Sequence, residues 1–416
     1  MNLRSKSKPI DKCYYPGARK YNIISCNLVG QDTFKGGVVT EDIFRFADEL
    51  GPSKIIHVYE PSVGLKAVLV VDNVAAGPSI GGVRMAPDVS TEECFRLARA
   101  MTLKNAAAGL PYGGGKAVIY ADPKMEKEKK IELIRVLACS LREIEEYIFA
   151  PDMGTDEDCM ASVKDEIGRV VGLPRVLGGI PLDEIGATGW GLRHSTEVAL
   201  EFCDFKLEGA RVAVQGFGAV GKNAARFLAE KGSVVVAIGD SRGTLYNPDG
   251  LDVDVVIALK ESGGSVVDYP GGQKLERDAV IDVDCDIWIP AARPDVLNEE
   301  NVHRLRTKLV VEGANIPITQ GAEKYLHEKG ILCVPDFIAN AGGVICAAME
   351  YEGASECAAL QAIEEKVRTN TRLVLKNAAD KEILPREAAL ELALSRIHKA
   401  MGYRRWSLFS SAPGFV

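Results

Sequence analysis

Residues 211–240, RVAVQGFGAVGKNAARFLAEKGSVVVAIGD, decide the fold. A short apolar run leads into Gly216-Phe217-Gly218-Ala219-Val220-Gly221, a helical stretch follows, and a second apolar run closes on Asp240. This is a strand, a glycine-rich turn of the form G-x-G-x-x-G, a helix and a second strand. Each glycine has its own reason there: a tight turn, room for a pyrophosphate against the backbone, and close helix–strand packing. The helix start presents free N–H groups and the positive end of its dipole to phosphate. Asp240 is expected to accept hydrogen bonds from the adenosine ribose and to repel a 2′-phosphate, which favours NAD. Ser241-Arg242 keeps NADP open, because an arginine beside the ribose can hold the extra phosphate.

Downstream, CDIWIPAA (285–292), KLVVEGAN (308–315) and GILCVPD (330–336) repeat the pattern of short apolar runs, with helical stretches between several of them. Such alternation predicts a parallel sheet covered on both faces. Upstream of about Ile185 the pattern differs. GLKAVLVVDN (64–73), Ala117–Tyr120 and EYIFAPD (146–152) read as strands. Ser90 and Glu93 have capping-box spacing before a helix that should stop near Gly109. Ile131, Ile134, Leu137, Leu141 and Ile144 mark one face of another helix, and Thr155 is expected to cap a third. After Gly343 the chain reads as helical to about Met401. The fold class is therefore α/β in two domains, a Rossmann-type doubly wound parallel sheet and an N-terminal α/β domain.

The 416 residues carry 50 Lys+Arg against 58 Asp+Glu, a net charge of −8, so no basic excess points to nucleic acid or anionic membrane. No apolar run is long enough to cross a bilayer, and the basic opening segment lacks the apolar stretch of a secretory signal. Ten scattered cysteines and five dispersed histidines fit neither a metal site nor a disulfide framework. The expectation is a cytoplasmic protein without metal.

Two lysines stand out in the first half. Lys104 lies near the end of the capped helix, and Lys116 follows Gly113-Gly114-Gly115. The turn at Gly109–Pro111 can bring them together, and three glycines let backbone approach a ligand. Paired ammonium groups depress each other's proton affinity, and such a lysine can act as acid, base or carboxylate-binding cation. The alternative is two solvated surface lysines. Asp152 ends a strand where open α/β folds bind ligands, or else it only turns its own loop. Two decoys fail. Gly77–Gly81 matches G-x-S-x-G but GVRMAP follows instead of a helix, and Gly113–Lys116 resembles a P-loop tail with Ala117 where Ser or Thr belongs.

Together these segments resemble the glutamate/leucine/phenylalanine/valine dehydrogenases. The likeness runs in order from about Gly64 to Glu352, through GGVRMAPDVSTEECFRLARAMTLKNAAAGLPYGGGKAVIYADP (81–123), APDMGTDE (150–157), GATGWG (186–191), DSRGTLYNPDGLD (240–252) and VPDFIANAGGVICAAMEYE (334–352). It implies reversible oxidative deamination of an L-amino acid to a 2-oxo acid and ammonium with NAD(P). By resemblance, Lys104 binds the substrate α-carboxylate, Lys116 activates water and polarises the reacting carbon, and Asp152 exchanges protons with the amine. Thr188 and Asn315 lie near the cofactor, Asn340 beside the nicotinamide, and Gly82 and Val344 line the substrate. The implied domains are 1–186 for substrate binding and oligomerisation, 187–345 for NAD(P), and 346–416 as helices returning to the first. A homohexamer is expected.

Glutamate-specific members place a lysine before the glycine pair matched by Gly81-Gly82 and a serine three residues after the valine matched by Val344. Here those positions are Ile80 and Ala347, neither able to bind a carboxylate. An uncharged side-chain pocket is expected. A glutamate enzyme with a relocated carboxylate site is the alternative, and a catalytically inactive NAD-binding assembly protein is a more remote one. A hydroxy-acid dehydrogenase would need a catalytic histidine, and none of His57, His194, His303, His327 or His398 sits in a suggestive motif.

Overall fold

The computed structural model describes residues 44–403. The basic opening segment, the start of the first expected domain and the chain beyond 403 lie outside them.

The first sheet contains β1 (Lys54–Glu60), β2 (Leu65–Asn73), β3 (Ser79–Ala86), β4 (Gly113–Tyr120) and β5 (Tyr147–Pro151), in the order β1-β2-β4-β3-β5. It is mixed: β1, β2 and β4 are antiparallel neighbours, whereas β4, β3 and β5 run parallel. Helices α1 (Thr91–Ala107), α2 (Lys127–Ser140) and α3 (Glu157–Ile167) connect or cover these strands. Strand β2 is buried along nearly its whole length, as its unbroken apolar run requires. Strand β3 escaped the sequence reading because Gly81-Gly82 interrupt its apolar pattern, and glycine normally weakens a strand.

Ser90 caps α1, its hydroxyl accepting from the Glu93 N–H at 3.0 Å, worth about 1 kcal/mol. The expected capping box is only half made, because the Glu93 carboxylate turns to Arg84. Helix α3 is capped by Asp156, not Thr155. The Thr155 hydroxyl is already engaged at the end of β5, donating to the Val83 carbonyl at 2.8 Å and accepting from the Asp152 N–H at 3.0 Å.

After α4 (Ala187–Ala199), the second sheet contains β6 (Arg211–Gln215), β7 (Val234–Gly239), β8 (Thr244–Tyr246), β9 (Gln273–Leu275), β10 (Ile287–Pro290), β11 (Leu309–Val311) and β12 (Leu332–Val334). Their order is β12-β11-β10-β6-β7-β8-β9. Five strands are parallel, and the unforeseen β8 and β9 form an antiparallel edge. Helices α5 (Ala219–Ala229), α6 (Val253–Glu261) and α7 (Gln320–Glu328) lie between strands. Strand β6 has its sequence successor β7 on one side and the much later β10 on the other. The glycine motif thus leaves β6 at the switch point, the usual ligand crevice of such sheets.

The chain finishes with α8 (Asp336–Ala339), α9 (Gly342–Tyr351), α10 (Glu356–Lys381) and α11 (Pro385–Tyr403). Helix α10 packs on α4, and α11 packs on α1. The Arg396 guanidinium donates to the Ala106 and Ala107 carbonyls at 3.0 and 2.7 Å, placing a cation at the negative end of α1.

Candidate active site

Helix α1 is bolted to the first sheet through Asp72, which is fully buried on β2. Thr102 and Arg99 donate to its Oδ2 at 2.6 and 2.8 Å, and Asn105 donates to the Gly113 carbonyl at 2.7 Å. Within the triple glycine, Gly114 serves this packing, and Gly113 makes room for the end of β2. A Cβ on Gly114 would lie 2.0 Å from the Thr102 nitrogen, and one on Gly113 would lie 1.9 Å from the Asn73 carbonyl oxygen. With no side chains there, α1 lies directly on β4, and Lys104 approaches Lys116.

Side chains alternate along a strand, so Ile80, Gly82 and Arg84 share one face of β3. Lys116 is 6% exposed, and its ammonium sits 2.6 Å from Asp152 Oδ2. Arg84 Nε reaches the same oxygen at 3.1 Å, and its Nη1 donates to Glu93 at 2.7 Å. A Cβ on Gly82 would meet the Asp152 Cβ at 2.7 Å and the Lys116 ammonium at 3.3 Å. Gly82 therefore gives this ion cluster its room. Burial by itself would raise the Asp152 proton affinity, but Lys116 and then Arg84 outweigh it and hold the carboxyl below its usual range.

Burial pushes the Lys104 ammonium down to about 8; Asp336 opposes this and the like charge of Lys116 adds to it. Lys104 Nζ donates to Asn315 Oδ1 at 3.4 Å, and Asn340 Nδ2 donates to the same oxygen at 3.0 Å. The next residue, Ile316, has φ 49°, a left-handed conformation that costs a β-branched residue about 1–3 kcal/mol. Asp336 holds it there by accepting its N–H at 2.8 Å. Asp336, Glu312 and Glu323 all converge on Arg386 of α11, at 2.8, 2.7 and 2.7 Å. Sequence reasoning missed this buried cluster because its members come from distant segments, and missed Arg84 because β3 was not read as a strand.

Ile80, Val344 and Ala347 belong to one apolar cluster with Ala108, Tyr112 and Ile345. Further along α9, Glu350 accepts N–H groups of Gly172, Leu173 and Ile180 at 2.7, 3.0 and 2.9 Å, pinning the loop beside that cluster.

At the second sheet, a cavity of about 470 Å³ is lined by Gly216, Phe217, Gly218, Asp240, Ser241 and Lys260 among others. Gly216 has φ 97°, which glycine alone adopts freely. A Cβ on Gly221 would lie 1.9 Å from the Gly216 carbonyl oxygen, so the third glycine sets the helix–strand contact. Gly218 faces open space, and Ala219 and Val220 begin α5 with its N–H groups uncapped by any side chain. Thr188, at the start of α4, sits beside Gly343, where a Cβ would be 3.2 Å from its hydroxyl. Asn340 is 4% exposed and its Oδ1 has no partner among the described residues. An open glycine turn, a free helix start and an orphaned acceptor together fit a dinucleotide.

Asp240 differs from its expected state. Its carboxylate accepts from Lys260, the Ser265 hydroxyl and the Val266 N–H at 2.9, 2.9 and 3.0 Å, and from the Arg242 N–H at 2.9 Å. Burial opposes ionisation, yet these donors bring the carboxyl down to about 2. The Arg242 guanidinium is turned away, in a two-handed ion pair with Asp268.

The family model for Glutamate/Leucine/Phenylalanine/Valine dehydrogenase matches residues 178–405, and the one for the Glu/Leu/Phe/Val dehydrogenase dimerisation domain matches 52–169. The chain belongs to this family. A glutamate dehydrogenase of Aeropyrum pernix is 40% identical over 80% of this chain and 85% of its own. An NADP-specific glutamate dehydrogenase of Saccharolobus shibatae and an NAD-specific one of Staphylococcus aureus are each 35% identical over 80% of this chain, and over 83% and 85% of theirs. Among solved structures, the Leu-bound hetero-hexameric glutamate dehydrogenase of Thermus thermophilus superposes with TM-score 0.75 at 30% identity, covering 86% of this chain and 91% of that one. L-tryptophan dehydrogenase of Nostoc punctiforme gives 0.68 at 26% identity, covering 85% and 98%. This family member is an NAD(P)-dependent amino-acid dehydrogenase, acting on small molecules by oxidative deamination. Among the described residues no helix is long and apolar enough to cross a membrane.

Proposed function

We propose that this dehydrogenase oxidises L-amino acids with uncharged, chiefly apolar side chains. The observation that carries the reading is that Ile80, Val344 and Ala347, none of which bears a charge, share one apolar cluster. Burying an unpaired carboxylate there costs several kcal/mol, on the order of 2–5. The glutamate reading keeps its own support, since the relatives at 35–40% identity bear that name; it requires a cation from another segment.

In this reading Lys104 binds the α-carboxylate. Asp152, kept ionised by its two cations, accepts the proton of the substrate ammonium, which leaves an amine ready for oxidation. NAD(P), when bound, supplies the hydride acceptor. Lys116 then stabilises charge at the reacting carbon and orients the water whose C–O bond replaces the C–N bond as ammonia leaves. Asn340 Oδ1 would accept from the nicotinamide amide, with Thr188 and Asn315 near it, Gly216–Gly221 would hold the pyrophosphate, and Asp240 and Ser241 would lie toward the adenosine ribose. NAD is the preferred cofactor; with its charge already matched by Lys260, Asp240 also leaves NADP admissible. Residues 1–186 and the helices from 346 form the substrate domain and 187–345 the cofactor domain, in a cytoplasmic homohexamer that binds no nucleic acid or membrane.

Steady-state oxidation of glutamate, leucine, valine, phenylalanine and tryptophan with each cofactor tests this. Higher kcat/KM for an apolar substrate supports the reading, and a marked preference for glutamate overturns it. Light scattering at the mass of six 44.8 kDa chains tests the assembly.

A further inference from the structure

The geometry points to Arg84 as a positioning residue that clamps Asp152 in one orientation and charge state for proton transfer. This rests on the proposed role of Asp152 as the acceptor of the substrate's proton.

The guanidinium works with two hands. Nη1 is tied to Glu93, on the first turn of α1, at 2.7 Å, and Nε reaches Asp152 Oδ2 at 3.1 Å. Lys116 Nζ meets that same oxygen at 2.6 Å. Both cation contacts fall on Oδ2, and the Met153 N–H adds a backbone hydrogen bond to the same carboxylate. Without Arg84, the carboxylate would have a single flexible lysine as its ionic anchor, on one side only. A planar guanidinium fixed at its far end resists rotation in a way an ammonium does not.

The charges around Asp152 agree. Lys116 faces it from β4 and Arg84 from β3, and Tyr147 lies on its own strand with its hydroxyl turned to the Gly81 carbonyl at 2.6 Å. Behind Lys116 are Lys104 and the Cys94 thiol, which donates to the Lys116 carbonyl at 3.2 Å; behind Arg84 is Glu93. Arg84 is therefore the second cation acting on Asp152, and removing it must raise that carboxyl's proton affinity.

The test is the pH profile of kcat/KM for the preferred amino acid in full-length wild type, Arg84→Gln, Arg84→Lys, Glu93→Gln and Asp152→Asn. In Arg84→Gln the acid limb should move up by about one to two pH units, with activity recovered at higher pH. Arg84→Lys keeps the charge and should leave the limb near its wild-type position while lowering kcat through the looser clamp. Glu93→Gln removes a negative charge at a partly exposed site and should move the limb slightly down. A rate loss with an unmoved limb in Arg84→Gln, or equal limb shifts in the Gln and Lys variants, would make Arg84 merely structural. If Arg84→Gln does not fold, a limb that moves up or stays in place in Glu93→Gln overturns the proposal. Asp152→Asn separates the two readings: if it retains the acid limb, Asp152 is not the acceptor and the underlying reading fails, whatever Arg84 does.

Discussion

Lys104 and Asn315 meet across the cleft at 3.4 Å, one on a helix packed on the first sheet, the other on the loop leaving β11 of the second. The amide oxygen that receives the lysine also receives Asn340. The cation assigned to the substrate carboxylate is thus in line with the amide assigned to the nicotinamide.

The low proton affinity of Lys104 has a kinetic signature. A group with a pKa of about 8 is charged below that pH and neutral above it. The KM for the 2-oxo acid in the reductive direction should be flat below pH 8 and rise above it, approaching about tenfold per pH unit. Lys104→Gln should raise KM roughly ten- to a hundredfold at neutral pH and abolish that dependence, since a charged hydrogen bond is lost. A KM profile in Lys104→Gln identical to wild type would remove Lys104 from carboxylate binding.

Lys116→Met should lower kcat by about 10²–10⁴-fold. Binding of NADH, followed by its fluorescence, should stay within about threefold, because Lys116 lies at the first sheet and not in the glycine-turn cavity. Full turnover in this variant would contradict its assignment.

Substrate choice should follow two side chains. Ile80→Lys with Ala347→Ser should raise kcat/KM for glutamate and lower it for leucine, each by about tenfold or more. If both values stay put, the side-chain pocket lies elsewhere.

Lys260→Ala should turn the enzyme against NADP. The lysine neutralises Asp240 at 2.9 Å, and without it the carboxylate repels a 2′-phosphate. NADP selectivity relative to NAD should drop roughly tenfold. Unchanged selectivity would place the ribose elsewhere.

Arg386→Leu should cost about 3–5 kcal/mol in urea denaturation, because it strands three buried carboxylates. Burial raises the Glu312 pKa well above normal, with Arg386 opposing. The folded state then holds a proton that the unfolded chain releases, so stability falls as pH rises from the ordinary carboxylate range toward the folded value. In the variant that fall should extend to higher pH, because Arg386 no longer opposes the rise. Wild-type stability in Arg386→Leu would show that the acids are satisfied otherwise.

The cofactor half was legible in sequence because strand, glycine turn and helix are consecutive, and local spacing encodes them. Lys104, Lys116 and Asp152 were legible as candidates through their unusual apolar and glycine-rich surroundings. What sequence could not disclose depends on long-range packing. Asp240 looked free but is claimed by Lys260 and Ser265 from a loop and helix further on. Gly113–Gly115 looked like space for a ligand and is space for neighbouring chain: the end of β2 at Gly113, α1 at Gly114, and Ser79 and Tyr147 at Gly115. Arg84 was hidden because β3 itself went unread, and with it the alternation that sets Ile80, Gly82 and Arg84 on one face.

Arg396 closes the end of α1, and Arg386 braces the loops that carry Asn315 and Asn340, so a helix near the far end of the chain completes both walls of the cleft. During synthesis, the two lysines and the glycine turn leave the ribosome long before their supports do. Two walls far apart in sequence thus share one late support, and a chain truncated before residue 386 would lose both braces at once.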